Sequence, residues 1–487
     1  MNKNLYIIFL LVLVFRLFFA FQSEEFNDDN AYFTLRNVES IQQTGKPLFN
    51  DELSYGGRQT VFLPLYYYIL AAFYSVFGEL TFKIITSILF SSLIFLVYLI
   101  VKEFTNNEEA ALLATLISAF IPVFISTTTN NISIYSAALF VMLLMILSLI
   151  KIKDKKYMNL FIGLAIAFPL LHGMAFLFIL SLLTYLILSI AESNKLEKVK
   201  KEAILFSLFI VLTISFLLFK DAFLLHGLNI IYQNIPNDII SNYFKGINII
   251  DLIFNFGLIP IFFGIFGLSY SIRKKDDNTI LLGSMILTTS VLLIFRLIDV
   301  YLAFIFLGIL LSILSSIGFE KLFKYITMTK FSRHLNRIKF SIFILAILLM
   351  IVPSFIEAKN STDNALSKEE FDALLWLSNN TETDSIVMSS YDEGHFITKI
   401  AKRKNVIDDN FLLANNINQR YNDVKTVFTT TSQVKALQVL KKYDVTYVYF
   451  SERTKQIYNS KEIAYSDDKC FKEVYRTEKV RIYKVRC

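Results

Sequence analysis

Histidine and cysteine are scarce in this chain of 487 residues, with four of the first and two of the second. His172, His226, His334 and His395 are isolated from one another, so no metal set is read from histidine spacing. His395 is singled out only because it follows Asp392-Glu393-Gly394. Cys470 and Cys487 both lie near the end of the chain, where they either pair or remain free thiols. Strand-like alternation of the kind a closed barrel needs is not visible, which leaves helices as the way to satisfy backbone groups in a bilayer. Nor is any internal repeat visible, which counts against an inverted-repeat transporter.

What is abundant is apolar surface. The chain is 55% hydrophobic and only 18% charged, with a mean hydropathy of +0.52. Runs such as Leu5–Phe21, Phe82–Val101 and Phe340–Phe355 are each long enough for a helix to cross roughly 30 Å of hydrocarbon. The first run follows a short basic start but lacks a small-residue cleavage site, and reads as an anchor. A net charge of +7 could suit nucleic acid. In so apolar a chain it reads instead as orientation charge, and no nucleic-acid partner is expected.

Basic clusters fix the expected topology, because Lys and Arg in short loops stay cytoplasmic. They fall at Lys151–Lys156, Lys195–Lys201, Arg273-Lys274-Lys275 and Lys321–Lys339. About eleven spans alternate around them: 5–21, 82–102, 109–126, 133–150, 157–172, 174–191, 203–219, 251–271, 279–295, 297–317 and 339–356. Val61–Phe77, with Pro64 and three consecutive tyrosines, reads as an interfacial helix that does not cross. The expectation is a polytopic α-helical membrane domain over residues 1–356 and a soluble α/β domain over 357–487. The N-terminus would be cytoplasmic, with the first outer loop, 22–68, and the terminal domain outside. Abundant Phe, Ile, Lys and Asn suggest an AT-rich prokaryotic genome and hence a plasma membrane.

Three groups of residues could carry chemistry. Asp28 and Asp29 follow the first span, where adjacent carboxylates can act as a general base or hold a divalent cation, and Asp29 is also a candidate metal ligand. Arg296 stands at the outer end of an apolar run, where a guanidinium suits a lipid phosphate or an ion pair with Asp299. Arg16, inside the first span, is expected to snorkel or to pair with an outer-loop acid.

The stretch Asp29-Asn30-Ala31-Tyr32, with Arg36, Glu39, Gly45-Lys46-Pro47, Asp51, Gly56-Gly57-Arg58 and Pro64-Leu65-Tyr66, resembles the first outer loop of the GT-C superfamily of membrane glycosyltransferases. In the terminal domain, residues 380–403 and Asp408-Asp409-Asn410 resemble the oligosaccharyltransferase catalytic subunit. That family's Trp-Trp-Asp-Tyr-Gly motif falls on Ser390-Tyr391-Asp392-Glu393-Gly394, where Asp392 and Gly394 match. No tryptophan is present there, the chain's single one being Trp376.

The resemblance implies an inverting glycosyltransferase with a polyprenyl- or dolichyl-phosphate-linked donor and a protein or glycan acceptor, protein Asn favoured. Asp29 would be the base with Asp28 as the fallback, Arg296 would bind the donor phosphate, and Tyr391, Asp392, Glu393 and Gly394 would line the acceptor site. Mg²⁺ or Mn²⁺ is a candidate cofactor. The outer loop Thr127–Ser133, however, offers Asn130 and Asn131 where the superfamily often places a further acid. A monosaccharide transferase, a non-catalytic glycolipid-binding relative and a transporter are the alternatives.

Overall fold

The computed structural model describes residues 3–487 except 62, 193–195, 246–247, 275 and 468. Lys195 and Lys275 of the basic clusters, and Phe62 of the interfacial segment, therefore lie outside the described residues.

Each expected span corresponds to a helix or a bent pair of helices. Seven helices are individually long and apolar enough to cross a bilayer: Lys3–Ala20, Leu80–Val101, Met174–Ala191, Lys198–His226, Asp277–Ile294, Val300–Thr327 and the one containing Leu335–Asp363. Two bent pairs bring the number to nine. Glu108–Ala119 meets Pro122–Thr128 at 45°, with Pro122 opening the second helix because proline lacks the N–H that a continuous helix would need. The other pair, closed by Leu258–Ile272, turns through 90° at Gly257, whose φ of +80° an L side chain rarely adopts. Tyr135–Ile150 and Lys155–Leu171, at 16 and 17 residues, occupy the two remaining expected positions. Leu65–Phe77, at 13 residues, is too short to span unaided, as expected for an interfacial helix.

Close backbone approach holds the membrane half together. A Cβ at Gly264 or Gly267 would lie 2.5 Å from Leu311 O or 2.1 Å from Leu314 O, so Leu258–Ile272 can touch Val300–Thr327 only where glycine stands. Arg16 has no carboxylate partner among the described residues. It donates to Thr128 Oγ1 at 2.8 Å, with its guanidinium 5.1 Å from the Phe90 ring centre and 4.8 Å from that of Phe124.

Helix Leu335–Asp363 continues past Glu357, so the change in composition falls within its last turns. Beyond it stands a five-stranded sheet with β3 Ile386–Met388, β4 Lys404–Asn405, β5 Tyr447–Phe450, β6 Phe471–Arg476 and β7 Arg481–Val485, in the order β4-β3-β5-β7-β6. The β4-β3-β5 part is parallel and helices connect it, whereas β7 pairs antiparallel with both β5 and β6. Cys470 and Cys487 form a disulfide that joins the two ends of the β6–β7 hairpin. A small hairpin in the first outer loop, β1 Asn50–Asp51 with β2 Arg58–Gln59, leans on this domain.

Candidate active site

Asp28 and Asp29 sit at the start of helix Asp29–Thr44, where exposed backbone N–H groups favour carboxylates. Asp28 is the N-cap, accepting from Asn30 N at 3.2 Å, and its other oxygen accepts from Asn131 Nδ2 at 3.0 Å. Asn130 and Asn131 of the Thr127–Ser133 loop both bond to the segment that leads into this helix. Asn131 orients Asp28, and Asn130 Nδ2 donates to Glu25 O at 2.8 Å.

Asp29 turns the other way, into the terminal domain. Its carboxylate accepts from His395 N at 2.9 Å and Phe396 N at 2.8 Å, capping the short helix Gly394–Phe396. His395 is fully buried, with Nε2 at 3.1 Å from Asp409 Oδ1 and 3.8 Å from Asp408 Oδ1. Neither ring nitrogen makes a well-oriented hydrogen bond, and Asp409 Oδ1 is likewise buried without one. Asp408 is tied to Arg58 Nη2 at 2.8 Å and also accepts from Ser54 Oγ.

This crowding sets the protonation behaviour. Burial pushes Asp29 well above the usual carboxylate range, with His395 opposing the shift and Asp409 adding to it. Burial and the Asp409 charge also raise Asp28. For His395, burial alone would lower the pKa, but Asp408, Asp29 and Asp409 push it up to about 9. Asp408 goes the other way, since Arg58 and His395 outweigh its burial.

The cluster opens onto a cavity of about 980 Å³ between the terminal domain and the ends of the membrane helices nearest to it. Asp28 and Asp409 line it, and Asp29 is buried behind them. Of the two adjacent aspartates, Asp28 lines this cavity and Asp29 does not. Tyr391, Asp392 and Arg453 of the terminal domain line it too, with the Arg453 guanidinium donating to Asn27 O.

Glu393 and Gly394 face inward instead. Glu393 accepts from Thr454 Oγ1 at 2.7 Å and from Ser390 and Ser451, and burial together with the Asp392 charge raises its pKa to about 7. Gly394 is required by close approach, since a Cβ there would stand 2.3 Å from Ile407 O. Arg296 does not line the cavity. It is exposed in the turn before helix Val300–Thr327, with φ +58° and its guanidinium 5.3 Å from the Phe244 ring centre. Asp299, considered as its ion partner, instead caps that helix by accepting from Leu302 N at 2.8 Å. Asp299 and Tyr301 do line the cavity.

The donor set fits a divalent cation. One ligand atom each from Asp29, His395 and Asp409 lie within 4.8 Å of one another, and the unsatisfied atoms of His395 and Asp409 are buried among them. Mixed nitrogen and oxygen donors suit Mn²⁺ or a later first-row ion better than Mg²⁺. Spacing did not bring His395 and Asp409 to Asp29. The available signals were the histidine directly after the Asp392–Gly394 segment and the Asp408-Asp409 pair just beyond it.

Residues 62–218 match the family described as dolichyl-phosphate-mannose-protein mannosyltransferase. No curated protein matches the chain. The archaeal oligosaccharyltransferase AglB from Archaeoglobus fulgidus, solved with an inhibitory peptide and a dolichol-phosphate, superposes with a TM-score of 0.69 at 15% identity, covering 91% of this chain and 69% of its own. An Archaeoglobus fulgidus oligosaccharyltransferase tethered by a disulfide bond to an acceptor peptide with the NVT sequon gives 0.64 at 17% identity, with the same coverage. ArnT from Cupriavidus metallidurans, bound to undecaprenyl phosphate, gives 0.59 at 10% identity over 99% of this chain and 98% of its own. The membrane helices, the outer loop that carries Asp28 and Asp29, and the terminal sheet are therefore arranged in the fold of the GT-C membrane glycosyltransferases.

Proposed function

We propose that this chain transfers a sugar or oligosaccharide from a polyprenyl- or dolichyl-phosphate-linked donor to an acceptor at the extracytoplasmic face of the membrane. The observation that carries this reading is the cavity of about 980 Å³ in which outer-loop carboxylates, the ends of membrane helices and the terminal domain all face one space. A lipid-borne donor enters from the bilayer side, and an acceptor enters between the membrane half and the terminal domain. The lipid phosphates and the peptides bound by structures of the same fold support both kinds of ligand. The Cys470–Cys487 disulfide supports an oxidising compartment for the terminal domain.

Asp28 acts as the base, since it faces the cavity, is held by Asn131 and Asn30, and has a raised pKa. It takes the proton from the acceptor as the acceptor atom bonds to the anomeric carbon. The carbon–oxygen bond to the lipid phosphate breaks on the opposite side, and the phosphate leaves with the electron pair. Configuration inverts. Asp29, His395 and Asp409 are the residues that would hold a divalent cation. Such an ion, when bound, supplies positive charge against the departing phosphate. Arg296 remains the candidate for the lipid phosphate. It is exposed, makes no ion pair among the described residues, and precedes Asp299 and Tyr301 at the cavity wall.

Protein Asn is the favoured acceptor, with Tyr391 and Asp392 on its side of the cavity. The second reading is a transferase of single sugars to protein or to a lipid-linked glycan. It draws support from the match to ArnT over nearly the whole length of both chains.

The experiment is transfer of labelled glycan from native lipid extract to native acceptors by the purified chain, by its Asp28→Asn form, and with EDTA added. Product from the wild type that disappears in Asp28→Asn supports the reading. No product from the wild type with donor lipid still bound would replace it with a non-catalytic glycolipid-binding role.

A further inference from the structure

A second cavity of about 510 Å³ lies on the far side of the Arg58–Asp408 ion pair from the first. The β1–β2 hairpin, the loop at Leu413–Asn415, Arg420 and Leu225 form its walls. Asn234 fixes the loop by donating to Phe411 O at 2.8 Å and Ala414 O at 2.9 Å. Tyr55 stands at the centre, its ring between two guanidinium groups, 4.6 Å from Arg58 and 5.2 Å from Arg420.

Charge in this cavity is already balanced. Arg58 is paired with Asp408 at 2.8 Å, and Asp51 is bound at both oxygens by Arg36 at 2.7 Å. A phosphate or nucleotide would find no uncommitted cationic cluster. Arg420, which donates only to backbone carbonyls, and the exposed Glu52 carboxylate are the lining charges without an ion pair among the described residues, and they are opposite in sign, so what else remains available is neutral hydrogen bonding. Asn50, Glu52, Gln59 and Asn415 line the cavity, are exposed, and have no side-chain partner among the described residues. Arg58 Nε is buried and likewise unsatisfied. Planar amides and a carboxylate beside arginine and an aromatic ring match the vicinal hydroxyls and apolar faces of a sugar.

We propose that this second cavity is a binding site for an uncharged oligosaccharide, holding sugar units remote from the reacting one. The inference rests on the transferase reading only for its choice of ligand class, because binding is measurable without transfer. Asp408 lies between the two cavities, accepting from Arg58 on one side and standing 3.8 Å from His395 on the other. A glycan seated here therefore bears on the residue that shapes the candidate active cluster.

The test uses the full chain in lipid nanodiscs, with saturation-transfer NMR on uncharged di- to tetrasaccharides of hexose and N-acetylhexosamine. At least one is expected to bind, with affinity falling tenfold or more in Glu52→Ala/Gln59→Ala, checked by an unchanged melting temperature. Asn415→Trp, which fills the cavity, is a second route to the same loss, and Asp28→Asn is expected to bind as wild type does. The inference is overturned if no sugar in the panel binds, if inorganic phosphate displaces the sugar, or if binding is lost in Asp28→Asn and kept in the other variants. Sugar binding without any transfer would sink the function proposed above and leave this site standing.

Discussion

Polar side chains in the two halves of the molecule find their partners in opposite ways. Within the membrane half many hydroxyls turn back on their own helix. Thr115 donates to Ala111 O, Ser181 to Leu177 O, Thr289 to Met285 O and Ser312 to Gly308 O, all at 2.8 Å. Such bonds are satisfied as soon as the helix forms, and packing then decides where the helix sits. In the outer half partners come from distant chain. Asp29 meets His395 across 366 residues, and Tyr55 meets Asn405 across 350. Alteration of such helix-internal hydroxyls is therefore expected to affect stability alone, whereas alteration of the residues brought together from distant chain is expected to reach the proposed chemistry.

The largest effect that would test this division is at Asp28. Asp28→Asn is expected to lower transfer by about 100-fold or more, the usual scale for losing a general base, while the membrane helices stay folded by circular dichroism. Full activity in this variant would remove Asp28 from the mechanism. Next comes His395→Gln, expected to weaken Mn²⁺ binding by about 10- to 100-fold in calorimetry, on the scale of lost support around a metal site. Metal affinity equal to wild type would show that the cluster does not ligate.

The same residue gives a pH prediction. His395 has its pKa raised to about 9, so its contribution to stability is complete below its unfolded value near 6.5. That contribution is lost as pH rises through 9. In metal-free protein the melting temperature should fall over that window in wild type and lose this component in His395→Gln.

A smaller effect is expected at two glycines, one in each half. Gly394→Ala and Gly267→Ala both force a Cβ onto a backbone carbonyl and should each cost about 1–3 kcal/mol by denaturant titration. Only Gly394→Ala should also lower the transfer rate of the folded fraction, because it moves Ile407 and Asp408. Equal loss of rate in the two variants would dissolve the distinction between the halves.

This contrast also explains what could be read from sequence. Apolar length and the basic clusters placed a helix or bent pair at each of the eleven expected positions, of which up to nine are long and apolar enough to cross a bilayer, since burial in lipid depends on local composition. Pro64 and the three tyrosines marked Val61–Phe77 as a segment that does not cross, and its helix, Leu65–Phe77, is 13 residues long. Choosing between Asp28 and Asp29 needed a different cue. Asp-Asp-Asn-Ala ahead of a helix reads as an N-cap followed by an acid in the first turn, and those two positions point in different directions. The assembly of His395 and Asp409 around Asp29 was not legible, because no local pattern specifies which strand end a loop will meet. Glu393 shows the same limit. It lies inside a stretch that resembles an acceptor motif, yet Ser390, Ser451 and Thr454 draw it into the core.

Asp29 emerges from the ribosome early and waits through 366 further residues before the backbone amides that bind it exist. Until then its loop has no terminal sheet to rest on, and the cavity that Asp28 lines lacks Tyr391, Asp392 and Arg453. Because both donors to the Asp29 carboxylate, His395 N and Phe396 N, come from the terminal domain, the loop that carries it reaches its final arrangement only once most of the chain exists.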